Sequence, residues 1–265
     1  MNSKRVALLA ASCLLGLTMA GTACASPLLE LGVTAWNAQA TGQGTSTQGG
    51  NSNSTVDLQN DLGMQRKWTG GVHLTFRHGL PVLPDILIAS SHVFNDGSAV
   101  INRNITWQGK TFQANGPVQS QVDLRMDRIV GFWNPLDNPV ANLRLGLEAR
   151  RLSLNIPITG EVSRPGGGTQ KESTSVGGTV WLPLGYAGLT LHLPAGVDLD
   201  GSWSYVSYSG NYLSDYRLQA AYNFDSGFFL ALGWRRFHLH LNSNHFSVSG
   251  DLSFKGIYTS IGYSF

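Results

Sequence analysis

Residues 212–224 read YLSDYRLQAAYNF, and the order of polar and apolar side chains along them decides the fold class. In an extended chain successive side chains point to opposite faces. Tyr216, Leu218, Ala220, Tyr222 and Phe224 therefore share one face, while Asp215, Arg217, Gln219 and Asn223 share the other. Residues 141–150 repeat the pattern, with Leu143, Leu145 and Leu147 opposite Asn142, Arg144, Glu148 and Arg150. Residues 197–205 do so again, with Val197, Leu199, Trp203 and Tyr205 opposite Asp198, Asp200 and Ser202. Packing those charges into a sandwich core is costly unless each is paired. The apolar face must look outward, and a continuous apolar exterior is stable against lipid rather than water.

Composition agrees. The chain has 265 residues, 13% of them charged, and 32 glycines. A glycine share of about 12%, against about 7% on average, argues against a helical protein. Hydrophobic residues make up 42%, yet beyond the N-terminal segment no apolar run reaches the roughly 18 residues of a membrane helix. Residues 1–25 carry Lys4-Arg5, an apolar stretch from Val6 to Met19 and the small-x-small sequence Ala23-Cys24-Ala25, the pattern of a cleaved signal for Sec export. A lipid anchor on Cys24 is the alternative, but no Leu or Val stands before it where a lipobox needs one. Cys13 and Cys24 both fall inside this segment, so residues 26–265 form one domain without disulfides or thiolate metal sites. Removing Lys4 and Arg5 lowers the 18 basic residues to 16 against 16 acidic ones, a balance that gives no basis for nucleic-acid binding.

Alternation and turn residues predict an all-β, transmembrane, antiparallel up-and-down barrel of about ten strands, near 28–38, 67–78, 85–94, 118–133, 140–159, 174–193, 197–208, 212–224, 227–241 and 248–265. Pro183 inside the sixth run and the patchy third run leave eight or twelve as alternatives. Short connections fall at 79–85, 134–139, 194–198 and 225–227; longer ones fall at 39–66, 95–117 and 160–173, with compact turns near 209–212 and 242–246. Short turns belong on the inner side and long loops outside. Two runs switch the parity of their apolar positions, one at Arg150-Arg151 and the other at Arg235-Arg236. A β-bulge at each pair accounts for the switch. Arg151, Arg235 and Arg236 then form an outer-rim cluster that contacts lipopolysaccharide phosphates, since a guanidinium fork suits phosphate oxygens. The plainer account is that each pair marks where its strand leaves the hydrocarbon.

The closing strand puts Ile257, Thr259, Ile261, Tyr263 and Phe265 on one face. A terminal aromatic residue on such a strand resembles the signal read by the outer-membrane barrel assembly machinery, with Ile261, Tyr263 and Phe265 as its elements. Further segments are similar to a Gram-negative family of outer-membrane β-barrel proteins for which no reaction is established. These are Thr55-Val56-Asp57-Leu58-Gln59-Asn60-Asp61-Leu62-Gly63-Met64, similar to the family's Asp-Leu-x-x-Asp-Leu-Gly element, Leu80-Pro81-Val82-Leu83-Pro84, Asp215-Tyr216-Arg217, Leu232 to Arg236, and the strand ending at Phe265. The resemblance implies a barrel in the Gram-negative outer membrane.

Catalytic patterns are thin. Ser90 and His92 have the i, i+2 spacing of a lipid A deacylase couple in reversed order, with no acidic partner nearby in sequence. Asp57, Asp61 and His245 could gather at an outer rim as in an outer-membrane protease, without a matching motif. His238 and His240 project to one face and His245 follows the turn, but a fourth metal ligand is missing. Residues 55–64 lack the dense oxygen ligands of a calcium loop and suit a short amphipathic turn over the mouth. Charges assigned to the lumen are of both signs: Glu30, His73, Arg77, Asp123, Arg125, Asp127, Arg144, Glu148, Arg150, Asp198, Asp200, Asp215 and Arg217. The core of this network is Asp123, Arg125, Asp127, Arg144, Glu148, Arg150, Asp215 and Arg217. A ten-stranded interior is narrow and side chains largely fill it, so balanced charges predict a salt-bridged plug rather than a pore lined by one sign. The expectation is a monomeric outer-membrane barrel of structural or surface-interaction type, in contact with lipid and lipopolysaccharide, without catalytic or metal residues and without a cofactor. A narrow solute channel is the alternative, and a lipid A-modifying enzyme or a protease comes third.

Overall fold

Period-two patterning becomes thirteen strands. The computed structural model describes residues 28–48, 51–80, 82–163, 168–242 and 248–265; the signal reading of 1–25 and His245 lie outside them. The strands are β1 (Leu29–Gln48), β2 (Asn51–Asp57), β3 (Lys67–Phe76), β4 (Asp85–Val100), β5 (Ile105–Trp107), β6 (Lys110–Phe112), β7 (Pro117–Asp137), β8 (Ala141–Ser163), β9 (Thr169–Leu193), β10 (Val197–Tyr208), β11 (Asn211–Asn223), β12 (Phe228–Leu241) and β13 (Val248–Ser264). Ten of these pair antiparallel, neighbour to neighbour, and close into a ring in the order β1, β3, β4, β7, β8, β9, β10, β11, β12, β13. Closure leaves the lower part of the wall without a free edge. The short β2 folds back antiparallel along the outer end of β1, and the β5–β6 hairpin touches β8 at Phe112 and Val162.

Both ends of the described chain meet at one rim, where the Leu28 amide donates to the Phe265 carbonyl at 3.0 Å. The tight connections around 77–84, 138–140, 194–196 and 224–227 share that rim, as expected for the inner side. Strand tilt follows from the register. Val197 pairs with Leu193 of β9. The row then runs through Tyr222, Leu230, Ile261, Val33, Val72, Ser90, Asp127 and Arg151, and returns to β9 at Trp181, twelve residues above Leu193. Ten strands with a stagger of twelve tilt by about 40°. Pro183 is tolerated because the pairing of β10 with β9 ends at Tyr205 and Gly185, below it.

The exterior changes solvent along each strand. On β8 the outward positions are Ala141, Leu143, Leu145, Leu147 and Ala149, then Arg151, Ser153 and Asn155. On β12 they are Phe228, Leu230, Leu232 and Trp234, then Arg236, His238 and His240. About nine tilted residues of apolar exterior span roughly 23 Å, close to the ~25 Å band of a membrane barrel. Exposed Phe76, Trp133, Phe224 and Phe228 ring its inner edge, and Trp68, Trp181, Trp203 and Trp234 ring its outer edge.

Neither arginine pair sits on a bulge. Pairing of β8 with β7 and β9 runs unbroken through Arg150 and Arg151, as does that of β12 with β11 and β13 through Arg235 and Arg236. In the barrel wall a register shift falls instead between Trp133 and Leu136 at the inner rim. What switches is polarity. Beyond the belt the outward face meets water and is polar, so the inward positions take over the apolar residues. Leu152, Ile156, Ile158, Phe237 and Leu239 point inward and are buried. The wall continues into segments whose Gly, Ser and Thr content suggests loops. β1 runs to Gln48, β4 to Val100, and β8 and β9 to Ser163 and Thr169.

Candidate functional site

The interior has three levels. The inner vestibule is a polar cavity of about 890 Å³, open at the inner rim and lined by groups that include Glu30, Arg77, Asp85, Arg144, Asp198 and Asp200. Several of its charges pair with one another. Arg144 bonds Asp200 and reaches Thr190 Oγ1 at 3.1 Å, Arg77 Nη2 lies 3.4 Å from Glu30, and His192 Nδ1 lies 2.8 Å from Asp198.

Above it sits a buried ionic cluster. Asp215, with its side chain 1% exposed, accepts Arg150 Nη1 at 2.8 Å and both Arg235 Nε and Nη2 at 2.9 Å, with Arg217 Nη2 at 3.8 Å. Glu148 accepts the Ser204 hydroxyl at 2.6 Å and Arg150 Nε, with Arg128 Nη1 at 3.7 Å. The Arg235 guanidinium also lies over the Trp36 ring, 4.6 Å from its centroid. Arg144, Glu148, Arg150, Asp215 and Arg217 all lie on the inner face of the wall.

Four assignments change. Asp123, Arg125 and Asp127 are on the odd face of β7, which points outward, while Val118, Ser120, Val122, Leu124, Met126, Arg128 and Val130 point inward and are buried. They lie above Ile129, outside the belt, where water solvates them. Arg235 moves the opposite way, into the buried cluster, so it cannot contact surface lipid. Arg128 is the lumen residue of β7 that sequence reading missed; its even parity, shared with Val118, Val122, Leu124, Met126 and Val130, was the available signal.

The outermost level is an apolar core. Trp36, Ala38, Ala40, Val93, Leu124, Leu152, Phe237 and Phe254 of the wall pack with Val56, Leu58, Leu62, Met64, Ile105, Trp107 and Phe112 of the loops. The Asp57–Gly63 element forms the expected amphipathic turn over the mouth. Asp57 Oδ1 accepts the amides of Gln59 and Asn60 at 2.9 and 2.7 Å, and the buried Asp61 bonds Arg103 at 2.6 Å and the Asp57 amide at 2.9 Å. These bonds hold both carboxylates within the turn. Gly63 takes φ 63°, open to glycine without cost, and the turn docks on β4 where Met64 bridges Gly97.

Around this level runs a polar collar. Ser90 Oγ donates to Asp127 at 2.7 Å, His92 Nε2 lies 2.8 Å from Asp123, and Arg151 Nη1 lies 3.4 Å from Asp127. The acidic partner that His92 lacks in sequence is thus supplied by β7. Arg66 Nη2 donates to Gln39 at 2.9 Å; Gln39 stands opposite Lys255, and Lys255 opposite Arg236, a basic row just above Trp234 and Ile257. Higher still, His238 and His240 both bond Asp251 Oδ1, at 3.1 and 2.9 Å, and Tyr212 packs against both rings at 5.1 Å. Among the described residues no group of three or more His, Cys, Asp or Glu is arranged to hold a metal. Ile261, Tyr263 and Phe265 face outward on the inner half of β13, where Tyr263 touches Phe228 and Phe265 edge-on at 4.9 and 4.7 Å.

The chain matches no family model and no curated relative. Among solved structures it is similar to the outer membrane protease OmpT from Escherichia coli, at 13% identity over 89% of this chain and 96% of that one, with a TM-score of 0.52. The transport unit of the autotransporter AIDA-I from Escherichia coli matches at 11% identity over 99% and 98%, with a TM-score of 0.40. At such identities the first likeness speaks to the fold alone, a closed antiparallel barrel.

Proposed function

We propose that this chain is a monomeric integral protein of the Gram-negative outer membrane, that it acts through its projecting outer surface rather than through a pore, and that it carries out no reaction of its own. The observation that carries this reading is the apolar core across the outer mouth. A path from the vestibule would have to cross the Asp215–Glu148 cluster and then the packed side chains around Phe112, Phe237 and Phe254. The test is single-channel recording of the refolded protein in planar bilayers. A silent barrel is expected. Discrete openings whose ion selectivity moves on neutralising Arg217 would make it a narrow channel instead.

Lipopolysaccharide is the outer-leaflet partner of this reading, and the row of Arg66, Lys255 and Arg236, with Arg151 further round, is where its phosphates would sit. Export through the Sec pathway and recognition of the strand ending at Phe265 by the barrel assembly machinery complete the reading. The closing strand's pairing with both β12 and β1 supports the latter.

A second reading has one observation in its favour. His92 and Asp123 form a couple at 2.8 Å on the outward face just above the belt, with Ser90 two residues away on the same face. That is a base and its orienter beside a hydroxyl, the arrangement of ester hydrolysis, although Ser90 donates to Asp127 rather than to the imidazole. Mass spectra of lipid A from cells expressing the wild type and Ser90→Ala decide it. Identical spectra remove the hydrolase, and a deacylated species present only with the wild type establishes it.

A further inference from the structure

From the charge balance of the buried cluster we infer that the barrel interior binds a small monatomic anion, of the halide class, between Arg128 and Arg217. Among the described residues the cluster brings together four guanidinium groups, Arg128, Arg150, Arg217 and Arg235, but two carboxylates, Glu148 and Asp215. Arginine does not shed its proton inside proteins, so the surplus of two positive charges cannot be relieved by neutralisation. An uncompensated charge away from water is strongly unfavourable.

Pairing within the cluster is uneven. Asp215 forms its close bonds with Arg150 and Arg235, at 2.8 and 2.9 Å, and Glu148 forms its close guanidinium bond with Arg150. Arg128 and Arg217 are held more loosely, at 3.7 Å from Glu148 and 3.8 Å from Asp215. Two donor nitrogens, Arg128 Nε and Arg150 Nη2, have no hydrogen-bond partner among the described residues, on side chains only 8% and 1% exposed. Buried donors left in this state cost stability unless water or an ion answers them.

The space to answer them exists. A cavity of about 30 Å³ is bounded by all four arginines, with Trp36, His73, Ser90 and Tyr258 among the other residues of its wall. That is room for roughly two water molecules or one halide, and too little for a hydrated sulfate or a phosphate ester. Water satisfies donors but leaves the surplus untouched, whereas one halide both accepts from the idle N–H groups and halves the excess. The inner vestibule reaches from the rim up to Arg144 and Gln219, on the side from which an ion would approach.

Two measurements on the intact refolded barrel test the site. Thermal unfolding at constant ionic strength, with chloride exchanged stepwise for gluconate, is expected to show a saturable rise in Tm with chloride and none with sulfate. In Arg217→Met the surplus falls, so the chloride dependence is expected to disappear while Tm in gluconate rises towards the wild-type value in chloride. Crystals soaked in bromide provide a readout that needs no variant. One anomalous peak within hydrogen-bond distance of Arg128 and Arg217 is expected. A Tm indifferent to chloride, or a cavity without an anomalous peak in bromide, overturns the inference and leaves water as the occupant.

Discussion

Arg235 grips Asp215 with two parallel hydrogen bonds, Nε to Oδ1 and Nη2 to Oδ2, both 2.9 Å, while its other face lies on Trp36. A bidentate, ring-backed guanidinium is fixed in orientation as well as in charge. Asp215 is therefore the residue on which Arg150, Arg217 and Arg235 converge. Asp215→Ala strands these cations away from water, and breaking such a buried pair costs about 3–5 kcal/mol. Urea titration of the refolded variant is expected to show that loss in its unfolding midpoint. A shift no larger than that of a surface substitution would mean that water fills the gap and screens the arginines.

The reversal of polarity along β8 predicts two unlike outcomes for the same chemical change. Leu147 faces outward within the belt and Asn155 faces outward above it. Leu147→Arg is expected to cost about 2–4 kcal/mol in lipid vesicles, and Asn155→Arg close to nothing. Equal penalties would place the hydrocarbon boundary elsewhere.

Phe112 is fully buried, yet it belongs to the β5–β6 hairpin rather than to the wall. Truncation to Ala removes about 3–5 kcal/mol of packing, and the loss should fall on the cap. Hydrogen exchange is expected to speed up at residues 54–64 and 105–112 while β11 and β12 remain protected. Uniform acceleration across all strands would mean that cap and wall unfold as one unit.

Asp251 supplies a pH signature on the outer collar. Burial pushes its carboxyl upward, but hydrogen bonds from His240 and His238, together with their charges, outweigh this and hold it below the ordinary aspartate value. A carboxylate depressed in the folded state stabilises fully above its unfolded value, near about 3.9, and that contribution is lost as pH falls through the lower folded value. The stability difference between wild type and Asp251→Asn is thus expected to be present near about pH 5 and to vanish in strong acid. A difference that persists undiminished in strong acid would contradict the assignment.

How far the sequence speaks depends on which solvent a strand meets. Inside the belt the rule is simple, apolar outward and charged inward, and it located Arg144, Glu148, Arg150, Asp215 and Arg217 on the inner face. It also gave ten strands and their inner turns, because Pro, Gly and Asp punctuate those turns clearly. The same rule misplaced Asp123, Arg125 and Asp127. Above Ile129 the outside is water, so charge is welcome there and the inner face turns apolar. One strand thus obeys two opposite patterns in succession, and a single-solvent reading sees the junction as a slip in register at Arg150-Arg151 and Arg235-Arg236. The extra length of β1, β4, β8 and β9 was hidden for a related reason. Many of their outward residues above the belt, such as Thr41, Thr45, Ser153, Asn155, Ser173 and Ser175, are types that also make loops, and the inward Trp36, Ala38 and Ala40 or Ile156 and Ile158 mark them as strand. Arg66, Lys255 and Arg236 come from three separate strand regions, and nothing short of the register aligns them.

The seam between β1 and β13 has a kinetic meaning. It joins residues separated by more than two hundred positions, as in Glu30 with Ser264 or the Trp36 indole with the Gly256 carbonyl. Nearly the whole chain must be gathered before the first of those bonds can form, so the entropy of closing that loop is spent ahead of any return. Every other wall contact is a hairpin or a near neighbour and can assemble early. The resulting precursor would be a curled sheet with two long unsatisfied edges, prone to pairing with other chains. Formation of this barrel should then be governed by one late, slow event at the seam, and substitutions confined to β1 and β13 should change the folding rate more than those in β10 or β11 of equal cost in stability.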